Sequence, residues 1–187
     1  MVLAVLSIFR IDYQVYNNGA KYLSYLLTPA TVCLAIPLYK QLELLKQYFP
    51  AVIGAICAGV AASAVSVFFM VKVMGLGHEH YVTLLPKSIT TAIGMGVSEE
   101  AGGIVTLTVI AIIITGVLGS VVSETVFCLM GIRHPVAKGL ALGTSAHAVG
   151  TSKALELGEV EGAMSSLSIA VAGLMTVILV PFISGLI

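Results

Sequence analysis

The chain has 187 residues, 58% of them hydrophobic and only 10% charged. Soluble domains carry about 25% charged residues, so the composition excludes a water-soluble fold. Nine Lys plus Arg balance nine Asp plus Glu, and without a basic cluster or aromatic ladder nucleic acid is not an expected partner.

In chain order, Met1 to Phe9 is uncharged and has neither a basic leader nor a small-residue cleavage site. It is a poor signal peptide and reads as the tail of a helix that begins upstream of Met1. Tyr22 to Tyr39 is a short span carrying Pro29 and Pro37. Each proline removes a backbone donor, so this span is expected to be bent or interrupted. A bilayer core of about 30 Å needs roughly 20 apolar residues of helix. Pro50 to Val71, Ala101 to Ser123 and Gly162 to Ile187 meet that length without a charge. Gly54, Ala58, Gly59, Ala62 and Ser66 give the first of these a small-residue face, expected to serve ordinary helix packing. The seven tyrosines lie mostly near the ends of apolar runs, as interfacial anchors do. Cys33, Cys57 and Cys128 are scattered without metal-like spacing and read as packing residues.

Two windows differ from the long spans. Between Lys87 and Glu99 lie 11 uncharged residues, and between Lys138 and Lys153 lie 14. Both are rich in hydroxyls and glycines and too short for a full crossing, which fits half-helices or re-entrant segments. Breakable polar backbone at membrane depth is tolerated only where it is buried in protein or lines a cavity. Lys40 with Lys46, and Arg133 with Lys138, mark two basic loops. The positive-inside tendency puts both in the cytoplasm if the window at 87–98 turns back on itself. There is also faint repetition: a slide of 56 residues pairs Ser88 with Thr144, Gly94 with Gly150 and Glu100 with Glu156. In so restricted an alphabet, chance matches are common. The expected fold class is all-α: a polytopic transmembrane helical bundle with broken or re-entrant helices, an internal repeat left open, and one integral membrane domain over residues 1–187.

Pro86 is expected to open a helix, with Lys87, Ser88, Thr90 and Thr91 about its first turn. A helix start with hydroxyl donors and a lysine is a seat for a carboxylate. The alternative is that the hydroxyls bond back to their own helix. In the second window Thr144, Ser145 and Thr151 supply hydroxyls, and His147 is the one histidine inside an apolar stretch. An ionisable group at membrane depth is a functional hypothesis by default; His147 is expected to pair with an anion or take up a proton. The rival is a structural histidine bonded to a neighbouring helix carbonyl. Glu99 is the other candidate coupling-ion or proton site, against the plainer reading of a solvated loop carboxylate. No nucleophilic elbow, phosphate loop, metal-ligand set or cofactor motif is legible, so an enzyme is not expected.

The phrases Leu-Leu-Thr-Pro-Ala-Thr-Val (26–32), Ala-Ile-Pro-Leu-Tyr-Lys (35–40), Leu-Pro-Lys-Ser-Ile-Thr-Thr (85–91) and Gly-Thr-Ser-Ala-His-Ala-Val-Gly-Thr-Ser-Lys-Ala (143–154) resemble the LrgB/CidB family. Glu-Gly-Ala-Met-Ser-Ser-Leu-Ser (161–168) resembles that family's C-terminal stretch. The resemblance implies a multi-pass protein of the bacterial inner membrane that acts beside a small LrgA/CidA-like membrane protein. It also implies a further span before the point matching Met1. Relatives include carriers of small carboxylates and regulators of murein hydrolase activity. By resemblance, Lys87, Ser88, Thr90, Thr91, His147, Gly150 and Thr151 fall on the most recognisable phrases. Many relatives have proline where Ala92 stands, so the break in the first window is expected to be softer here. The expected function is transport of small monocarboxylates of the pyruvate, glycolate or glycerate kind with an LrgA/CidA-type partner. The alternative is holin-like regulation of murein hydrolase activity and autolysis without solute transport. Assembly with further copies of the chain is left open.

Overall fold

A computed structural model describes residues 9, 13–25, 29 and 35–187. The tail at 1–8, and residues 26–28 and 30–34 of the span expected to be broken, with Cys33 among them, lie outside the described residues. The chain divides into two units, Met1–Ile36 and Pro37–Ile187. Within the first, helix α1 (Tyr13–Ser24) ends with the Lys21 ammonium 5.5 Å from the Tyr22 ring centre. A short helix α2 (Ala35–Lys40) spans the boundary in sequence.

The regular elements of the second unit are all helices among the described residues: α3 (Leu42–Val73), α4 (His78–Leu84), α5 (Thr91–Glu100), α6 (Val105–Leu129), α7 (Pro135–Leu157), α8 (Glu159–Ile183) and a closing 3₁₀ turn at Ser184–Leu186. Among the described residues, three stretches are long and apolar enough to cross a membrane: Lys46–Val73, Val105–Leu129 and Glu159–Leu186. They coincide with the three expected long spans. Large apolar side chains such as Leu118, Val121, Leu174 and Phe182 face outward on α6 and α8. In water such surfaces would drive association; in hydrocarbon they are the solvated face.

The ends of the spans differ from expectation for local reasons. The second begins at Val105 rather than Ala101 because Ala101, Gly102 and Gly103 form a turn, with Gly102 at φ +80° and the Gly103 N–H donating to the Ser98 carbonyl at 2.7 Å. It continues beyond Ser123 through Glu124, whose carboxylate pairs with Lys153 of α7 at 2.6 Å. Gly131, at φ +67°, then ends the helix: the Gly131 N–H donates to the Cys128 carbonyl and the Ile132 N–H to the Phe127 carbonyl. This is the Schellman arrangement that satisfies the last helical carbonyls.

α7 packs most extensively on α8, and then on α6. Its contact with α8 uses Gly139 and Gly143, one turn apart. A Cβ at either would collide with the backbone of Glu161 or Ser165, so small residues let the two backbones meet. One apolar core of Val52, Ile56, Leu140, Ala163 and Met164 joins α3 to this pair. A second, around Val67, Val71, Tyr81, Val82 and Val180, seats α4.

Candidate functional site

The first polar window is a break between two helices. Pro86 has no N–H to continue the ladder of α4. Residues 85–90 instead form turns, with the Lys87 N–H donating to the Leu84 carbonyl and the Ile89 N–H to the Pro86 carbonyl. Pro86 was expected to open the next helix; the helix opens at Thr91, with Thr90 as its N-cap and no side-chain capping bond. Lys87 and Ser88 therefore sit on irregular backbone before the helix start, not on its first turn.

A buried hydroxyl network holds this break. The Thr83 hydroxyl donates to the Glu79 carbonyl (2.6 Å) and accepts the Ile104 N–H (2.8 Å). The Thr108 hydroxyl donates to the Thr83 carbonyl (2.9 Å) and shares a 2.7 Å hydrogen bond with the Ser98 hydroxyl. Thr83, Ser98 and Thr108 are all almost fully buried. In a low-dielectric interior such a satisfied set fixes the relative positions of α4, α5 and α6.

The second window is a kinked helix. α7 is helical from Pro135 to Leu157 except at His147, which has φ 42° and ψ −131°. For a residue with a Cβ this is strained backbone, costing on the order of 1–3 kcal/mol. The imidazole offsets that cost: Nε2 lies 2.9 Å from the Ile112 carbonyl oxygen of α6. A carbonyl only accepts, so Nε2 carries the proton and donates. Gly116 makes room for the ring. The structural alternative weighed for His147, a bond to a neighbouring helix carbonyl, describes this contact.

Lys87, Ser88, Thr144 and Ser145 come together. They line one cavity of about 470 Å³ with Gly59, Ala62, Ser63 and Ser66 of α3, Thr115 and Gly119 of α6, and Ala141 of α7. The face of α3 expected to serve packing alone thus lines this cavity through Gly59, Ala62 and Ser66. Ser88 and Thr144, paired by the 56-residue slide, face the same space. Ser63 and Thr115 were missed, because single hydroxyls inside long apolar spans resemble packing residues. The available signal was the spacing of Gly59, Ser63 and Ser66, which puts all three on one helix face.

The other expected residues are not in the cavity lining. The Thr151 hydroxyl bonds the Ser165 hydroxyl of α8 at 2.7 Å and the His147 carbonyl at 3.0 Å, fully buried. Gly150 is pressed against the Leu142 carbonyl and Ala146. Thr90 and Thr91 start α5, and Glu99 is exposed near its end.

Hydrogen-bond accounting gives the cavity its chemistry. The Lys87 ammonium donates to Ser88 Oγ at 3.1 Å and Ser63 Oγ at 3.3 Å, and the two serine oxygens are 3.0 Å apart. An ammonium has three N–H groups, so the third is unused among the described residues. Only one hydroxyl proton can lie between the two serines, which leaves the other free to turn outward. The hydroxyls of Thr144 and Ser145 donate back to the Leu140 and Ala141 carbonyls at 2.7 and 2.6 Å; they offer lone pairs, not protons. Among the described residues, the carboxylates within 4.0 Å of a lysine are Glu124 and Glu156, and both serve Lys153. The Lys87 charge therefore has no anionic partner among them. A half-buried cation without a counter-charge is costly, and a small anion beside it would lower that cost. No group of three metal-ligating side chains occurs among the described residues.

The LrgB-like family matches residues 1–186. Antiholin-like protein LrgB of Bacillus cereus is 40% identical over 183 residues, covering 97% of this chain and 80% of that protein. Antiholin-like protein LrgB of Bacillus anthracis has the same identity and coverage. No solved structure matches.

Proposed function

The chain belongs to the LrgB-like family, and on that premise we propose that it carries small monocarboxylates across the bacterial inner membrane beside a small LrgA/CidA-type protein. The observation that carries the proposal is the Lys87 ammonium, unpaired with any described carboxylate, in a hydroxyl-lined cavity between helices of candidate membrane spans. The free N–H of Lys87 and the free hydroxyl proton of the Ser63–Ser88 pair are two donors for the two oxygens of a carboxylate. Broken helices at midplane sites are a recurring transporter device, and the breaks at 85–90 and His147 support it. In this reading the segment around Lys87 is re-entrant, and it and α7 are two copies of one ancestral unit.

The test is uptake into proteoliposomes holding the purified chain, with and without its LrgA/CidA-type partner, using labelled pyruvate and glycolate. Saturable flux, competed by unlabelled carboxylate and lowered on the order of 10- to 100-fold by Lys87→Met, is expected from the loss of a charged hydrogen bond. Flux that never saturates, or that ignores Lys87, ends the proposal.

The relatives are named antiholin-like, which favours the second reading, a regulator that works through a membrane complex and moves no solute. It predicts that lysis phenotypes follow partner binding and are indifferent to Lys87→Met.

A further inference from the structure

A second charged cleft lies at the turn from α6 to α7, away from the Lys87 cavity. It encloses about 300 Å³, and its charged lining residues are Glu124, Arg133 and Lys138, set against Phe127, Cys128 and Leu157. We infer that it binds the phosphodiester headgroup of an anionic phospholipid, held by Arg133 and Lys138.

Three observations carry this. First, neither cation has a carboxylate within 4.0 Å among the described residues; Glu124 is held by Lys153 at 2.6 Å and meets Lys138 only through a longer-range charge interaction. The cleft therefore keeps a positive excess, and a guanidinium next to an ammonium is suited to phosphate oxygens. Second, the cleft is built on fixed backbone. The Schellman turn at Gly131 ties Ile132 to Phe127, and Pro135 starts α7 directly after. Arg133 is carried between two rigid ends rather than on a loose loop. Third, its position suits a lipid. α6 is a candidate span ending at Leu129, so its terminus meets the headgroup layer. Val117 and Val121 lie on the exposed face of α6 that leads, at i+7 and i+11 from Val117, to Glu124 and Cys128 of the cleft, which gives an acyl chain an apolar surface below it. Basic clefts between membrane helices are recognised headgroup sites.

The experiment is native mass spectrometry on the delipidated full chain in detergent, titrated with phosphatidylglycerol, with phosphatidylcholine and with inorganic phosphate. Phosphatidylglycerol should be retained over phosphatidylcholine, and Arg133→Gln with Lys138→Gln should cut that preference roughly 30-fold, as expected for two basic side chains at a membrane surface. Glu124→Gln removes the one negative charge in the lining and should tighten phosphatidylglycerol binding, a gain that a misfolded variant does not produce. Equal retention of the two lipids, or an unchanged preference in the double variant, overturns the proposal. Displacement of the lipid by equimolar inorganic phosphate would also overturn it, making the cleft a site for small free anions. Carboxylate flux through the Lys87 cavity is a separate readout and is not required for either result.

Discussion

The His147 imidazole occupies the space that a side chain on residue 116 would fill: a Cβ built at Gly116 would stand 2.6 Å from His147 Cε1 and 2.9 Å from Nε2. The strained kink in α7 and the missing side chain on α6 are thus two halves of one arrangement.

That pairing predicts coupling. Gly116→Ala should lower stability by roughly 1–3 kcal/mol, the usual cost of overpacking. In a His147→Gly background, where the ring is gone, the same change should cost clearly less, with only the Val149 Cγ2 contact at 3.1 Å left to adjust. Thermal unfolding of the four proteins in detergent measures the cycle. Additive losses would mean that the ring is displaced at no cost.

The hydroxyl network behind the first break makes a second prediction. Thr108→Val keeps the shape but leaves the buried Ser98 hydroxyl and the Thr83 carbonyl without that partner. The loss should be about 1–3 kcal/mol and should exceed that of Ser98→Ala, which removes one bond only. Chemical denaturation of the two variants decides the order.

Gly59 sets the width of the Lys87 cavity. A Cβ there would lie 3.2 Å from Cβ and Oγ1 of Thr144, close enough to narrow the space without breaking the fold. Gly59→Ala should reduce flux of a four-carbon monocarboxylate more than that of glycolate, by roughly tenfold, the scale of one methyl group in a tight site. An equal fall for both substrates would remove Gly59 from substrate selection.

Lys153 gives the pH prediction. Its hydrogen bonds to the Glu124 and Glu156 carboxylates raise its pKa above the ordinary 10.5. A raised lysine contributes stability that is fully present below its unfolded pKa and lost as pH rises through the folded one. Both carboxylates are exposed and Lys153 is half-buried, so the contribution is small. The difference in melting temperature between wild type and Lys153→Met should stay flat across neutral pH and shrink only above about pH 10. A change near neutrality would point to another group.

The three long spans were legible because twenty apolar residues without a charge have few other uses. Their ends were less so: Glu124 reads as a terminus, and only the fold reveals the lysine that keeps it in the helix. The two polar windows were also visible, and both contain breaks. What the linear chain hid was direction. Thr144 and Thr151 lie seven residues apart with similar chemistry, yet the first lines the cavity and the second is sealed against Ser165. A kink of unknown angle lies between them, so helical spacing alone does not relate their directions. Ser63 was hidden by its neighbours, since its role depends on Lys87 reaching across from another element.

Gly139 and Gly143 set the backbone of α7 directly on the backbone of α8 at Glu161 and Ser165, with the Cβ atoms of Met164 and Ser168 flanking the contact. The wall that presents Thr144 and Ser145 is therefore seated closely on α8. A side chain that forced these two backbones apart would also displace the wall of the Lys87 cavity, although neither glycine touches that space.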